Sequence, residues 1–285
     1  MIPTQHNTSR LFLHVLLYSM AAIIAFPFLY MIVSALRSPG SSDLGIMFPR
    51  GDGLLGIDWS NLGFDNFRAF FASRNAPSAL LNSVFYASAS ATLASIFAAM
   101  TGYALARLRF VGRGFVFSAV LAALIIPGPL LLAPLYTLLY DLGLLNSYAG
   151  LILPGLAPAF GVYLFRQATI SSVPMEIIES ARIDGCGEFR IFFAIAFPLL
   201  KPMVSAFVLI TFLGAWNNFL MPQIILSEEA KFPLATYIAQ LRGLYGTDYG
   251  LIMAATLISV APVMLIFFLL QRDFISGLTA GAVKG

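Results

Sequence analysis

"MEIIESARIDGCGEFRIFFAIAFPLLKP", residues 175–202, interrupts a chain that is otherwise nearly free of charge. Only 10% of the 285 residues are Asp, Glu, Lys or Arg, yet this stretch holds Glu176, Glu179, Arg182, Asp184, Glu188, Arg190 and Lys201. Its local signals predict two short helices joined at a glycine. In "SSVPMEIIESARIDG", Ser172 is the expected N-cap, with Pro174 in the first turn. Glu176 and Glu179 complement the positive end of the helix dipole. Gly185 stands where a C′ residue commonly takes positive φ. A second helix from about Glu188 carries Phe189, Ile191, Phe192, Phe193 and Ile195 before Pro198 reopens the route onward. Charged and apolar surfaces combined in this way suit docking into a groove on another protein.

The surroundings explain why such an insert is conspicuous. The chain is 59% hydrophobic with a mean hydropathy of +0.88, whereas soluble domains are about 45–50% apolar and about 25% charged. Too few polar residues exist to cover a water-facing surface. A span needs roughly 20 mostly apolar residues, and six stretches qualify: 11–33, 81–106, 115–140, 148–165, 203–226 and 250–271. Within them His14 is the only ionisable group of the Asp, Glu, Lys, Arg or His types; Asp141 lies at a boundary. Alternating ten-residue patterns are absent, which argues against a β-barrel. The expected fold is all-α, a polytopic membrane protein of six transmembrane helices. The first span exceeds the usual length of a signal-peptide core and reads as an uncleaved anchor.

Basic residues predict the orientation. Six spans put both termini on one side, with Arg10, Arg107, Arg109, Arg113, Arg166, Arg182, Arg190, Lys201, Arg272 and Lys284. The other side holds Arg37, Arg50, Arg68, Arg74, Lys231 and Arg242. This distribution favours cytoplasmic termini, and it makes the net charge of +3 a topological bias, not a nucleic-acid patch. The chain divides into 1–80 (N-terminal tail, first span and external loop), 81–271 (a five-span core with the charged segment 167–202) and the tail 272–285. The lone Cys186 cannot form an internal disulfide, and no catalytic or metal-binding constellation is evident.

Within the spans, Ser90, Ala94, Ala98, Gly102 and Ala106 recur every four residues. They form a smooth stripe where another backbone can approach, either inside this chain or on a second membrane subunit. Pro127, Pro129 and Pro134 interrupt the third span, and Pro154 and Pro158 the fourth. Such breaks are tolerated only where neighbours or a cavity satisfy the freed carbonyls. In "GAWNNFLMP" the carboxamides of Asn217 and Asn218, beside Trp216, are costly in hydrocarbon unless bonded. They either bond a neighbouring helix or line a wet path for a hydroxyl-rich solute. No Asp or Glu lies inside the bundle to couple a proton; sodium held by backbone carbonyls is an alternative, and otherwise a pump built on this chain is expected to draw its energy from elsewhere.

The charged insert resembles the cytoplasmic "EAA" signature of binding-protein-dependent ABC importer permeases. It presents Glu179-Ser180-Ala181, then Gly185 after three residues, then Ile195-Ala196-Phe197-Pro198 after nine. Ser180 and Phe197 are mild departures from the family's Ala and Leu. "GYALARLRFVGR" (102–113), "PLYTLLYDLGLLNSYAGLILP" (134–154), "WNNFLMP" (216–222) and "QRDFISGLTAGAVKG" (271–285) resemble the maltose-type carbohydrate permeases, specifically the shorter six-span member of the pair. The likeness covers roughly 80–285.

This resemblance implies the type I ABC importer permease fold in a bacterial or archaeal plasma membrane, and a sugar or sugar derivative as solute. It also implies a second permease, two cytoplasmic ATPase subunits that bind ATP and Mg, and an extracytoplasmic solute-binding protein. Glu179, Ser180, Ala181, Asp184, Gly185, Ile195 and Pro198 would then form the ATPase-coupling segment. Gly277, Gly281 and Lys284 would lie in an ATPase-facing tail, and Trp216, Asn217 and Asn218 would belong to the solute pathway. With no "GxxxxGK[ST]" stretch, the chain is expected not to be an enzyme and to need no cofactor of its own. The alternatives are a stand-alone secondary carrier or channel, an intramembrane enzyme, and an ABC permease for a non-sugar solute.

Overall fold

The computed structural model describes residues 5–38, 48–50, 52–242 and 248–282, which are mostly helical and contain no strand, as expected. α1 (Gln5–Leu36) runs unbroken through Pro27. The short amphipathic α2 (Asp65–Ala72) turns Asn66 and Phe70 inward. α3 (Ala76–Arg107) has 32 residues and a proline only in its first turn. At 1.5 Å per residue it is ~48 Å long, more than enough to cross a hydrocarbon core of about 30 Å.

The third and fourth predicted spans are each bent, and a further bend leads into the fifth. α4 (Arg113–Ile125) stops just before Pro127, and a 3-10 turn at Gly128–Leu131 leads into α5 (Leu132–Asp141) at an angle of 105°. α6 (Tyr148–Ile152) and a 3-10 turn through Pro154 meet α7 (Ala159–Ser172) at 42°, with Pro158 at the joint. The charged insert follows as α8 (Met175–Ile183) and α9 (Glu188–Ile191). α9 continues through a π-turn at Phe192–Ala196 into α10 (Phe197–Leu199), then bends by 81° into α11 (Lys201–Trp216). Pro198 has no N–H for the carbonyl four residues earlier and its ring crowds that carbonyl. The wider i→i+5 turn, closed by Phe197 N–H on the Phe192 carbonyl, accommodates it. α12 (Leu220–Ile225), α13 (Leu234–Gln240) and α14 (Tyr249–Ala282) complete the chain. Among the described residues three helices are long and apolar enough to cross a membrane, and up to six spans result if each bent pair counts as one.

Two local expectations are corrected. Ser172 is the last residue of α7, not the N-cap of α8, a position held by Pro174. A residue before proline is pushed out of the helical region, so the break falls at Val173 (φ −115°, ψ 100°). The fifth apolar helix ends at Trp216, ten residues short of 226. The two asparagines that follow bond backbone groups, which competes with helix continuation: Asn217 Nδ2 donates to the Leu213 carbonyl, and Asn218 Oδ1 accepts from Met221 N–H.

The chain forms two compact units. One comprises Met1–Ala76 and Gln240–Val260. There the buried Asn66 donates to the carbonyls of Ala35 and Arg37 at 2.9 and 2.6 Å, and Gly250 lies so close that a Cβ would sit 2.6 Å from its amide. The other comprises Pro77–Ala239 and Ala261–Gly285. Its core joins Ala94 and Ala98 of α3, Phe165 of α7, Ile178 of α8, Ile191 of α9 and Phe207 of α11. A Cβ at Gly102 would lie 2.7 Å from Arg166 N, and one at Gly161 would lie 2.4 Å from the Phe207 ring and 3.0 Å from Ala98 Cβ. The Ala98–Gly102 part of the small-residue stripe therefore serves close packing of α3 on α7 within this chain.

Candidate functional site

The insert is built around its glycine. Gly185 has φ +80°, its N–H donates to the Arg182 carbonyl and Cys186 N–H donates to the Ala181 carbonyl. This is the Schellman pattern, with Cys186 packed into the same core as Ala181 to complete it. The turn sends the chain back so that Arg182 and Glu188 pair at 2.6 Å, with side chains 33% and 41% exposed. Hydrogen bonding to Glu188 raises the Arg182 guanidinium further above its ordinary value.

α8 is two-faced. Ile178 and Ala181, three residues apart, are buried, whereas Glu176, Glu179, Ser180, Asp184 and Gly185 are exposed. Apolar side chains stand out among these polar ones: Ile183 is 87% and Phe189 72% exposed. Ser180 Oγ donates to its own helix, at the Glu176 carbonyl. Ile195 is half-buried against the core, and Pro198 is exposed at the far end of the insert.

Two residues of α3 moor this segment. Tyr103 OH donates to Glu188 Oε2 at 3.2 Å, and its ring packs on Phe192. The Arg107 guanidinium donates to the carbonyls of Thr169, Ile170 and Val173, supplying the orphan acceptors at the end of α7. An open polar groove of about 510 Å³ lies between the Arg107–Phe110 stretch and α8, lined also by Glu179, Arg182 and Glu188. Sequence reasoning misses this mooring set. Arg107 carries the one usable signal, a cation directly at the end of a span; Tyr103 and Glu188 lie 85 residues apart and share no local pattern.

The three expected pathway residues part company. Trp216 is buried and stacks on Phe212 at 5.5 Å. Asn217 is exposed and bonds its own helix, not a neighbouring one. Asn218 opens onto a cleft of about 250 Å³ that is also lined by Tyr86, Ser90, Thr211 and the proline break of the fourth span. Gly277 and Gly281 fall within α14; Lys284 lies outside the described residues.

At the other end of α3 a second polar cluster closes on itself. Asn146, at φ +55°, donates to Glu228 Oε1 at 2.6 Å and accepts from the N–H groups of Ser227 and Glu228. Lys231 Nζ donates to Glu228 Oε1 and the Asn146 carbonyl. Tyr148 OH donates to the Lys231 carbonyl, and Asn82 of α3 donates to the carbonyls of Ala230 and Phe232. Hydrogen bonding from Asn146, and then from Lys231, holds the Glu228 carboxyl below its ordinary value.

Comparison with known proteins adds the family. Residues 90–278 match the binding-protein-dependent transport system inner membrane component. The chain is 38% identical, over 93% of both chains, to the arabinooligosaccharides transport system permease protein AraQ of Halalkalibacterium halodurans. It is 32% identical, again over 93% of both, to the lactose transport system permease protein LacG of Rhizobium radiobacter. Among solved structures, a chain of a bacterial ABC transporter involved in import of the acidic polysaccharide alginate superposes with a TM-score of 0.79. That match covers 96% of this chain and 99% of the other at 20% identity, a likeness of fold.

Proposed function

The chain belongs to the binding-protein-dependent transport system inner membrane components, and from that premise we propose that it is the coupling permease of an ABC importer for a sugar or sugar derivative. It has the type I ABC importer permease fold and is a transport component of the membrane. The proposal adds two cytoplasmic ATPase subunits, which bind ATP and Mg and drive transport, a second permease and an external solute-binding protein. Both termini face the cytoplasm, the side on which most of the basic residues fall.

One observation carries the reading: α8 and α9 are fixed from below by Ile178, Ala181, Tyr103 and the Arg182–Glu188 pair, yet present Ile183 and Phe189 outward among carboxylates. Exposed apolar side chains on a rigid polar mount suit a partner's groove. Glu179, Ser180, Asp184 and Gly185 face that partner, Ala181 and Ile195 hold the mount, and Pro198 marks where it turns toward the membrane. Gly277, Gly281 and Lys284 extend toward the ATPases. When the ATPases close on ATP, the seated insert moves, and Tyr103 and Arg107 pass that movement to α3. Asn218 belongs to the solute path, whereas Trp216 and Asn217 support it from behind.

The test is uptake of radiolabelled arabinotriose by proteoliposomes holding this chain with its cognate permease, ATPases and binding protein. Uptake that requires ATP and binding protein is the expected result. Uptake by this chain alone, without ATP, would replace the proposal with a stand-alone carrier.

A further inference from the structure

Only residues 108–112 join α3 to α4. α3 is long and apolar enough to cross a membrane, and α4 with α5 makes a bent span, so the turn between them stands at the membrane surface. There Val111 is fully exposed, Phe115 is 80% and Phe110 44% exposed. Arg109 is exposed beside them, and Arg113 is half-buried. Among the described residues neither arginine forms an ion pair. The Arg113 guanidinium donates to the Leu108 carbonyl at 3.3 Å, which ties the two ends of the turn together.

An unpaired arginine or an exposed phenylalanine is ordinary by itself. Here both occur on one turn that holds no carboxylate to answer the charge, since no Asp or Glu occurs between Asp65 and Asp141. α4 begins after Gly112 with no capping side chain and no acid in its first turn, so its dipole adds to the positive field. Arg166 of α7 adds a further cation, its guanidinium 4.0 Å above the ring of Phe117, one helical turn past Arg113. Toward α8, Glu179 and Glu188 share a groove with Arg109 and Phe110, but Glu188 is bonded to Arg182 and Tyr103. Val111, Arg113 and Phe115 do not line that groove.

We propose that this turn is the seat of an anionic phospholipid, whose headgroup phosphate is bound by Arg109 and Arg113 while Val111 and Phe115 lie beside its upper acyl chains. Guanidinium groups bind phosphate oxygens through charge-assisted N–H bonds. Their stems and the flanking apolar side chains favour the boundary between water and lipid. Charge complementarity selects the occupant. A zwitterionic lipid carries its own cation beside the phosphate, whereas an anionic one leaves that charge to the protein. Each arginine near an anionic surface strengthens association about five-fold. A lipid held there steadies the same end of α3 from which Tyr103 and Arg107 moor the insert.

The experiment places a bimane label at Gly114→Cys, where a Cβ meets nothing within 4 Å, in a Cys186→Ser background. The full-length chain is reconstituted, alone and then with its cognate permease and ATPases, in phosphatidylcholine vesicles that carry a headgroup nitroxide lipid and increasing phosphatidylglycerol. Bimane fluorescence should fall by about half as phosphatidylglycerol is added, and inorganic phosphate should restore it no more than chloride of equal ionic strength. With Arg109→Gln and Arg113→Gln together, the phosphatidylglycerol fraction for half the effect should rise several-fold. Arg109→Gln alone, which removes no hydrogen bond within the chain, should give a smaller rise in the same direction. Melting temperatures in pure phosphatidylcholine should match that of the unsubstituted chain. Quenching indifferent to phosphatidylglycerol, or to both arginine variants, would overturn the seat. Release by inorganic phosphate beyond the chloride control would make it a site for the free anion and overturn the lipid. Loss of quenching on assembly would give the turn to a partner subunit. Loss that follows a fall in melting temperature, in Arg109→Gln as well as in the double variant, would make the arginines part of the fold; either result overturns the proposal.

Discussion

The two ends of α3 solve the same problem in opposite ways. Asn82 and Tyr103 are 21 residues apart, ~32 Å along the helix, about the thickness of a hydrocarbon core. At each end a polar network ties α3 to a segment distant in sequence. Around Asn82 the network is self-contained: Asn146, Glu228 and Lys231 satisfy one another, and Tyr148 and Asn82 take up neighbouring carbonyls. Around Tyr103 only the underside is satisfied, and the outward face keeps Ile183 and Phe189 bare. A network that closes on itself holds a structure together. One that is finished beneath and unfinished above is what the proposed docking to a partner requires.

The sharpest way to break this contrast is to remove the bare face alone. Ile183→Ser together with Phe189→Ser should lower uptake by reconstituted transporter at least ten-fold. The melting temperature of the purified chain should stay within a degree or two, because both side chains are largely exposed. A large fall in melting temperature with proportionate loss of uptake would make that face part of the fold, like the other end.

A smaller effect is expected at Gly185. Nothing lies within 4 Å of a Cβ built there, so Gly185→Ala meets no clash, but φ +80° costs an L residue about 1–2 kcal/mol. Thermal unfolding should register that cost. Uptake should fall several-fold as the turn relaxes, while Gly143, also at positive φ and in open space, should tolerate alanine with a similar loss of stability and little loss of uptake.

How much of this contrast the sequence discloses follows from the range of each interaction. The insert is legible because its signals are local: a carboxylate-rich first turn, a glycine at C′ and a proline nineteen residues after Glu179, the first residue of its motif. The breaks at Pro127 and Pro158 are legible for the same reason. Ser172 misleads because its cap chemistry is generic, whereas Pro174 constrains Val173 by contact. Tyr103 with Glu188, or Asn82 with Ala230, cannot be read from the chain, since nothing within a helical turn of either partner records the other. The pathway asparagines fall between these cases. Their polarity marks the region, but only the end of α11 at Trp216 decides that Asn218, and not Asn217, reaches the cleft.

The mildest prediction concerns the closed end. The Glu228 carboxyl is held below its ordinary 4.5, so its contribution is present above that value and is lost as pH falls below 4.5 through the lowered folded value. Melting temperature should decline slightly faster below pH 4.5 in wild type than in Glu228→Gln, and the two should run parallel near neutrality. Parallel curves at all pH values would show that Asn146 holds the cluster without the charge.

The unbroken length of α3 gives these ends a mechanical relation. The bent third and fourth spans are jointed at prolines and can absorb displacement by flexing, but α3 has no proline past its first turn. It is a stiff rod joining the closed network at one end to the network under the proposed docking face at the other. In the proposed coupling, a tilt imposed at Tyr103 and Arg107 has no proline joint along α3 to absorb it before Asn82.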